Sequence, residues 1–123
     1  VHDAARCLVR PDSIDRLIDA CVGDAVGGLL ALPLADTLKQ ADAADRVART
    51  LERSGKWAAQ TPQMFRIGLL QQALARAGSK VTDEASAVEA QGHAPLLVRG
   101  EPDNIKLTWP ADFALAARLL ACP

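Results

Sequence analysis

Gly27-Gly28-Leu29-Leu30-Ala31-Leu32 is an uninterrupted apolar run closed by Pro33, and its reading decides the fold. Apolar residues without alternation suit a strand buried on both faces, the place of a central strand in a layered sheet. Such a strand needs cover on each side, and the flanking sequence supplies it. Upstream, Asp12 and Ser13 open a helix whose Ile14, Leu17, Ile18 and Cys21 recur at three- and four-residue steps up to Gly23. Downstream, Trp57-Ala58-Ala59-Gln60 reads as a short strand, and Met64 to Ala77 carry Phe65, Leu69, Leu70 and Leu74 at helical spacing as far as Gly78. Thr82-Asp83-Glu84 opens a further helix, with Thr82 as its N-cap, that ends at Gly92. Short strands are predicted at Pro95 to Arg99 and Asn104 to Thr108. A last helix then starts with Pro110 at its first position and holds Phe113, Leu115, Ala116 and Leu119 inside. Strands alternating with helices define an α/β layered fold.

Residues 35–57 behave differently. Asp36-Thr37-Leu38-Lys39-Gln40 and Arg46-Val47-Ala48-Arg49-Thr50-Leu51-Glu52-Arg53 are polar, roughly alternating, and separated by Ala41-Asp42-Ala43-Ala44-Asp45. This pattern predicts a hairpin with weak attachment to the core, either a projecting arm or an ordinary solvated edge hairpin.

The chain has 123 residues, enough for one domain with its own core, and 14 basic against 15 acidic residues leave a net charge of −1. That balance argues against nucleic-acid binding, which rests on clustered Lys and Arg. With only Trp57, Trp109, Phe65 and Phe113 as aromatics, base stacking is also a poor fit. The longest apolar stretch, residues 25–35, is interrupted by glycines and a proline and is too short to span a bilayer. No membrane segment or leader is expected, and the three cysteines, Cys7, Cys21 and Cys122, odd in number and at wide, irregular spacing, read as reduced, buried thiols of a cytoplasmic protein. Val1, not Met, opens the chain and reads as the end of a strand, so a cut chain is expected.

Chemistry-bearing residues gather at strand ends and loops. His2-Asp3-Ala4-Ala5-Arg6 places a carboxylate and a guanidinium where open α/β sheets bind ligands. Asp3 suits a phosphate-bound Mg²⁺ and Arg6 a phosphate, or Asp3 caps a turn and pairs with Arg6. Lys106, within Asp103-Asn104-Ile105-Lys106-Leu107-Thr108, is either a phosphate-holding charge or an edge guard. Thr37 with Arg53 on the hairpin, and Thr61-Pro62-Gln63 with Thr82-Asp83-Glu84, complete the set, each also explicable as capping or solvation. No G-x-S-x-G, P-loop or His-rich metal spacing occurs.

Taken in order, Val1-His2-Asp3-Ala4-Ala5-Arg6, Asp36-Thr37-Leu38-Lys39, Thr50-Leu51-Glu52-Arg53, Trp57 with Thr61-Pro62-Gln63, Thr82-Asp83-Glu84-Ala85-Ser86-Ala87 and Asp103-Asn104-Ile105-Lys106-Leu107-Thr108 resemble the C-terminal half of the 2-C-methyl-D-erythritol 4-phosphate cytidylyltransferases. The resemblance implies the C-terminal portion of a Rossmann-like nucleotidyltransferase over residues 1–123, with a mixed sheet, flanking helices, and residues 35–57 as a dimerisation arm. It implies transfer of CMP from CTP to methylerythritol phosphate with Mg²⁺, releasing pyrophosphate, in non-mevalonate isoprenoid biosynthesis. Asp3 would lie beside the Mg²⁺-triphosphate, and Arg53 and Lys106 would act catalytically by holding the sugar phosphate for in-line attack. Arg6, Thr37 and Thr61 would bind substrate, with Thr37 and Arg53 donated by the second subunit of a homodimer. Cys7 stands where the family often has proline. The family's N-terminal half, with the Gly-rich loop that meets CTP, has no counterpart in these residues, so the chain by itself is expected to be inactive. Two alternatives stay open: a non-catalytic dimerising fragment, and a cytidylyltransferase for another polyol phosphate such as ribitol 5-phosphate.

Overall fold

The first helix, α1 (Pro11–Cys21), starts where Pro11 can occupy a turn whose N–H groups are free in any helix, with Arg10 extended ahead of it. It buries Ser13, Leu17 and Cys21, a stripe at four-residue steps, and leaves Ile18 half exposed. The computed structural model describes residues 1–78 and 81–121; Cys122 lies outside them. Of the other two cysteines, Cys21 is buried as expected, but Cys7 is exposed, because it sits in a surface turn and not in an element with an inner face. Burial, with Asp24 nearby, pushes the Cys21 thiol up.

Strand β1 (Gly27–Pro33) is buried from Gly27 to Ala31, as the apolar run requires. A three-stranded sheet is ordered β4-β1-β5, where β4 is Trp57–Phe65 and β5 is Leu96–Arg99. β4 runs antiparallel to β1 and β5 parallel to it, so the sheet is mixed. Gly27 has φ +117°, and a Cβ there would stand 2.0 Å from the Met64 carbonyl oxygen, so only glycine lets β1 enter this close to β4. Leu30 and Val98 pack with Leu17 and Cys21 on one face. A second cluster joins Ala73 of α2 (Ile67–Ala75) to Ala87 and Val88 of α3 (Glu84–Glu89), with Phe65, Leu69 and Leu70 against it.

β4 extends five residues beyond the short strand that the sequence predicts. Met64 and Phe65 pair with Gly28 and Gly27 instead of opening the helix, which begins only at Ile67. Between the pairs Leu29↔Gln63 and Ala31↔Ala59, β4 carries two residues more than β1. This bulge, at Gln60-Thr61-Pro62, hides the strand in the sequence and turns Thr61 out of the ladder.

The hairpin β2 (Leu38–Ala41) and β3 (Val47–Leu51) forms its own two-stranded sheet, and no residue from 35 to 57 is buried. Asp42 closes its turn by accepting from the N–H groups of Ala44 and Arg46, which hold its carboxyl below the usual range.

Three further expectations need correction. Residues 104–108 form no strand: Leu107 N–H reaches the Ala5 carbonyl at 2.8 Å, but Ala5 lies in a turn and offers no ladder to extend. In α4 (Pro110–Ala121) only Ala116 is buried, so Phe113, Leu115 and Leu119 are exposed; one small residue makes the seat of this helix. The N-cap of α3 is Asp83, not Thr82, because Asp83 and Ser86 form a reciprocal capping box.

Candidate active site

Residues 1–10 form no regular element, yet several bonds pin them. Val1 and Gln63 exchange both backbone hydrogen bonds, at 2.7 and 2.9 Å, the pattern of an antiparallel pair on the free edge of β4. Arg6 N–H closes a turn onto the Asp3 carbonyl at 3.0 Å. The Thr61 hydroxyl, turned out by the bulge, accepts from Asp3 N–H at 3.0 Å and lies 2.9 Å from His2 Nδ1. His2 Nε2 lies 3.0 Å from the Arg6 carbonyl, which only accepts. Nε2 therefore carries a proton, and in the neutral ring Nδ1 accepts from the Thr61 hydroxyl.

Asn104, 1% exposed, ties the third segment in. Its amide donates to the Thr61 carbonyl at 2.8 Å, and its own backbone carbonyl accepts from Arg6 Nη1 at 2.6 Å. Ion pairs Arg10–Asp103 and Arg16–Glu101 fasten the same loop to the start and the flank of α1. Lys106 follows two residues on, and its Nζ stands 3.0 Å from Asp3 Oδ2, with Arg6 Nε 3.9 Å from the same oxygen. Of the two readings of Lys106, the edge guard fails, since residues 104–108 form no strand to guard. Burial pulls the Arg6 guanidinium below its ordinary value, opposed by Asp3, and its buried Nε has no hydrogen-bond partner among the described residues.

Asp3, Arg6, Thr61 and Lys106, drawn from three separate segments, line one open cavity of about 390 Å³. Thr37 and Arg53 do not reach it. They share a second hollow on the hairpin with Thr50, Leu51 and Glu52, where Arg53 donates to the Ala35 carbonyl. The first cavity also contains Gln63, Thr82, Asp83 and Glu84, which the sequence alone offers either as candidate site residues or as capping and solvation. The Asp83-x-x-Ser86 spacing is the signal that could have marked this edge as a rigid turn. Burial disfavours charge on Asp83, but bonds from Gln63 and Ser86 outweigh it and hold the carboxyl below its ordinary value. Among the described residues the cavity walls thus carry two cations, Arg6 and Lys106, and three carboxylates, Asp3, Asp83 and Glu84.

A mixed sheet with flanking helices and a polar cavity at its edge is the arrangement of a nucleotidyltransferase fold, and solved structures of that class superpose on it. A 4-diphosphocytidyl-2C-methyl-D-erythritol synthase matches with TM-score 0.90 and 50% identity, covering 98% of this chain and 55% of that one. The 2-C-methyl-D-erythritol 4-phosphate cytidylyltransferase of Thermus thermophilus matches with TM-score 0.88 and 34% identity, covering 98% and 60%. The family model for IspD, 2-C-methyl-D-erythritol 4-phosphate cytidylyltransferase, matches residues 1–121, and the chain belongs to that family. A relative of that name from Bordetella pertussis is 62% identical over 98% of this chain and 53% of its own length. A bifunctional enzyme IspD/IspF from Albidiferax ferrireducens is 64% identical over 98% of this chain and 28% of its own. The chain spans about half the length, or less, of the curated relatives it matches. Among the described residues no helix is long and apolar enough to cross a membrane.

Proposed function

We propose that the whole protein transfers CMP from CTP to 2-C-methyl-D-erythritol 4-phosphate, releasing pyrophosphate, and that this chain supplies the sugar-phosphate side of the site. The observation that carries the reading is the convergence of Asp3, Arg6, Thr61 and Lys106 on one cavity from segments far apart in sequence, within a chain of this family. Nucleotidyl transfer asks little covalent chemistry of a protein; rate comes from alignment and from charge placed where it develops. A sugar-phosphate oxygen attacks the α-phosphorus of CTP as pyrophosphate leaves, and Lys106 and the forked Arg6 hold the attacking phosphate.

Among the described residues the walls set three carboxylates against two cations, so a phosphate dianion entering them would be favoured by a further cation. Arg53 of a second copy fits this role: it sits with Thr37 on a hairpin without a buried residue, which can reach out to a neighbour. The protein is accordingly a homodimer whose arms, residues 35–57, complete each other's sites. Binding of the phosphate draws Lys106 from Asp3 and frees that carboxylate.

Among the described residues no three metal-ligating side chains cluster, so Mg²⁺ has no resident cage of protein ligands there. Asp3 fits the other mode, in which one or two carboxylates meet an ion carried by nucleotide phosphates. Bound there, Mg²⁺ would neutralise charge on the triphosphate. A CTP-dependent transferase of small molecules belongs in the cytoplasm.

The test is pyrophosphate release by the full-length protein with CTP and Mg²⁺, comparing methylerythritol phosphate with ribitol 5-phosphate. Turnover with the first and at least about a hundredfold lower kcat/KM with the second is expected. No turnover would favour a non-catalytic dimerising protein, and preference for ribitol phosphate would reassign the substrate.

A further inference from the structure

We propose that Gln63 is a positioning residue whose buried carboxamide locks the Thr82–Asp83 edge of the cavity to β4. The proposal rests on the reading of this cavity as the polyol-phosphate pocket. Gln63 is 2% exposed, and a carboxamide is costly to bury unless its polar atoms are matched. Its Nε2 donates to Asp83 Oδ2 at 2.9 Å and more weakly to the Gln60 carbonyl at 3.4 Å, while its Oε1 accepts from Ala85 N–H at 2.9 Å. Both ends of the amide are therefore spent inside the protein, so Gln63 acts on a ligand through its neighbours.

The bonds continue outward from that clamp. Asp83 Oδ1 accepts from Ser86 N–H at 2.8 Å, and Ser86 Oγ accepts from the N–H groups of Asp83 and Thr82, both at 3.0 Å. Thr82 reaches the cavity at the end of this series. α3 has six residues, too few to be stable by its own bonds alone, so the direction of its first turn depends on outside contacts. Gln63 is well anchored to give that direction, because its backbone pairs with Leu29 on one side and Val1 on the other, just past the bulge.

The clamp has a polarity that can be reversed. Gln63→Glu alone sets a carboxylate against the Asp83 carboxylate. With Asp83→Asn added, the new amide at position 83 donates to the new carboxylate at position 63 while its oxygen still accepts from Ser86. The second oxygen of that carboxylate still accepts from Ala85 N–H. In the full-length protein, assayed by pyrophosphate release, Q63E should raise KM for the polyol phosphate at least about tenfold, with kcat and KM for CTP within about twofold. The Q63E/D83N double variant should return that KM to within about threefold of the parent. An unchanged KM in Q63E, or a double variant no better than the single one, would overturn the proposal. Gln63→Leu, followed by hydrogen exchange without any ligand, reads the clamp separately: protection of the Ala85 amide should fall at least about tenfold, and unchanged protection would overturn the clamp. If the parent protein takes no polyol phosphate, the reading of the pocket fails while the exchange result still decides the clamp.

Discussion

Lys106→Gln in the full-length protein separates function from stability. The Lys106 ammonium is about half exposed, with its side chain at 53%, and its partner Asp3 is itself 36% exposed. An ion pair so open to solvent contributes about 0–1 kcal/mol to folding. Its loss should lower Tm by no more than about 2–4 °C in a domain of roughly 150–250 residues. The same ammonium, placed on a phosphate whose oxygens hold developing charge, is worth about 3–4 kcal/mol in the transition state, or roughly 10²–10³ in rate. Steady-state pyrophosphate release should therefore show kcat/KM down by about a hundredfold or more, while a thermal melt barely moves. A loss below about fivefold would refute the role given to Lys106. A loss matched by a Tm drop of about 10 °C would show that Lys106 acts by holding the Asp3 turn in place.

Arg53→Lys keeps the charge but loses the fork, so turnover should fall about ten- to a hundredfold in the pyrophosphate assay; equal activity would remove Arg53 from the site. Gly27→Ala forces a Cβ to within 2.0 Å of the Met64 carbonyl oxygen at φ +117°, and should cost about 3 kcal/mol or more by urea denaturation. Asp83 is held ionised in the folded protein, so its contribution is full above the ordinary carboxylate pKa of about 4 and is lost as pH falls through its lower folded value. Protection of the Ser86 amide, followed by hydrogen exchange, should fall in that acid range and stay constant from about pH 5 to 7.

What could be read without the structure follows the range of the forces involved. β1 and α1 were legible because burial on two faces or on one stripe leaves a periodic signature in consecutive residues. β4 was cut short because its ladder runs through a bulge at Gln60-Thr61-Pro62, and a register shift is set by the partner strand and not by local pattern. Residues 104–108 alternate like a strand but, among the described residues, find only one backbone partner outside their own loop, Ala5, and alternation without a neighbour does not make a strand. Phe113 and Leu119 have helical spacing, yet spacing does not say whether anything lies opposite.

The site divides the same way. Asp3, Arg6, Thr61 and Lys106 stand in ordered blocks that resemble a family, and the fold draws them to one cavity. Thr37 and Arg53 stand in the same ordered blocks but line a separate hollow on the hairpin, whose two strands form a sheet of their own. Gln63, Asp83 and Glu84 stand in the same ordered blocks, but local pattern explains them equally by capping or solvation, because their place in the wall depends on contacts between β4 and α3 that no local motif encodes.

The proposed site is shared between two copies, with the cavity from one chain and Arg53 from the other. Mixing full-length Arg53→Ala with full-length Lys106→Gln, after dissociation and reassociation, tests this directly. Each variant alone should be almost inactive. In a mixed dimer, one site pairs an intact cavity with an intact arm, so random reassociation should restore about a quarter of parental pyrophosphate release. A mixture no more active than its separate components would contradict the shared site.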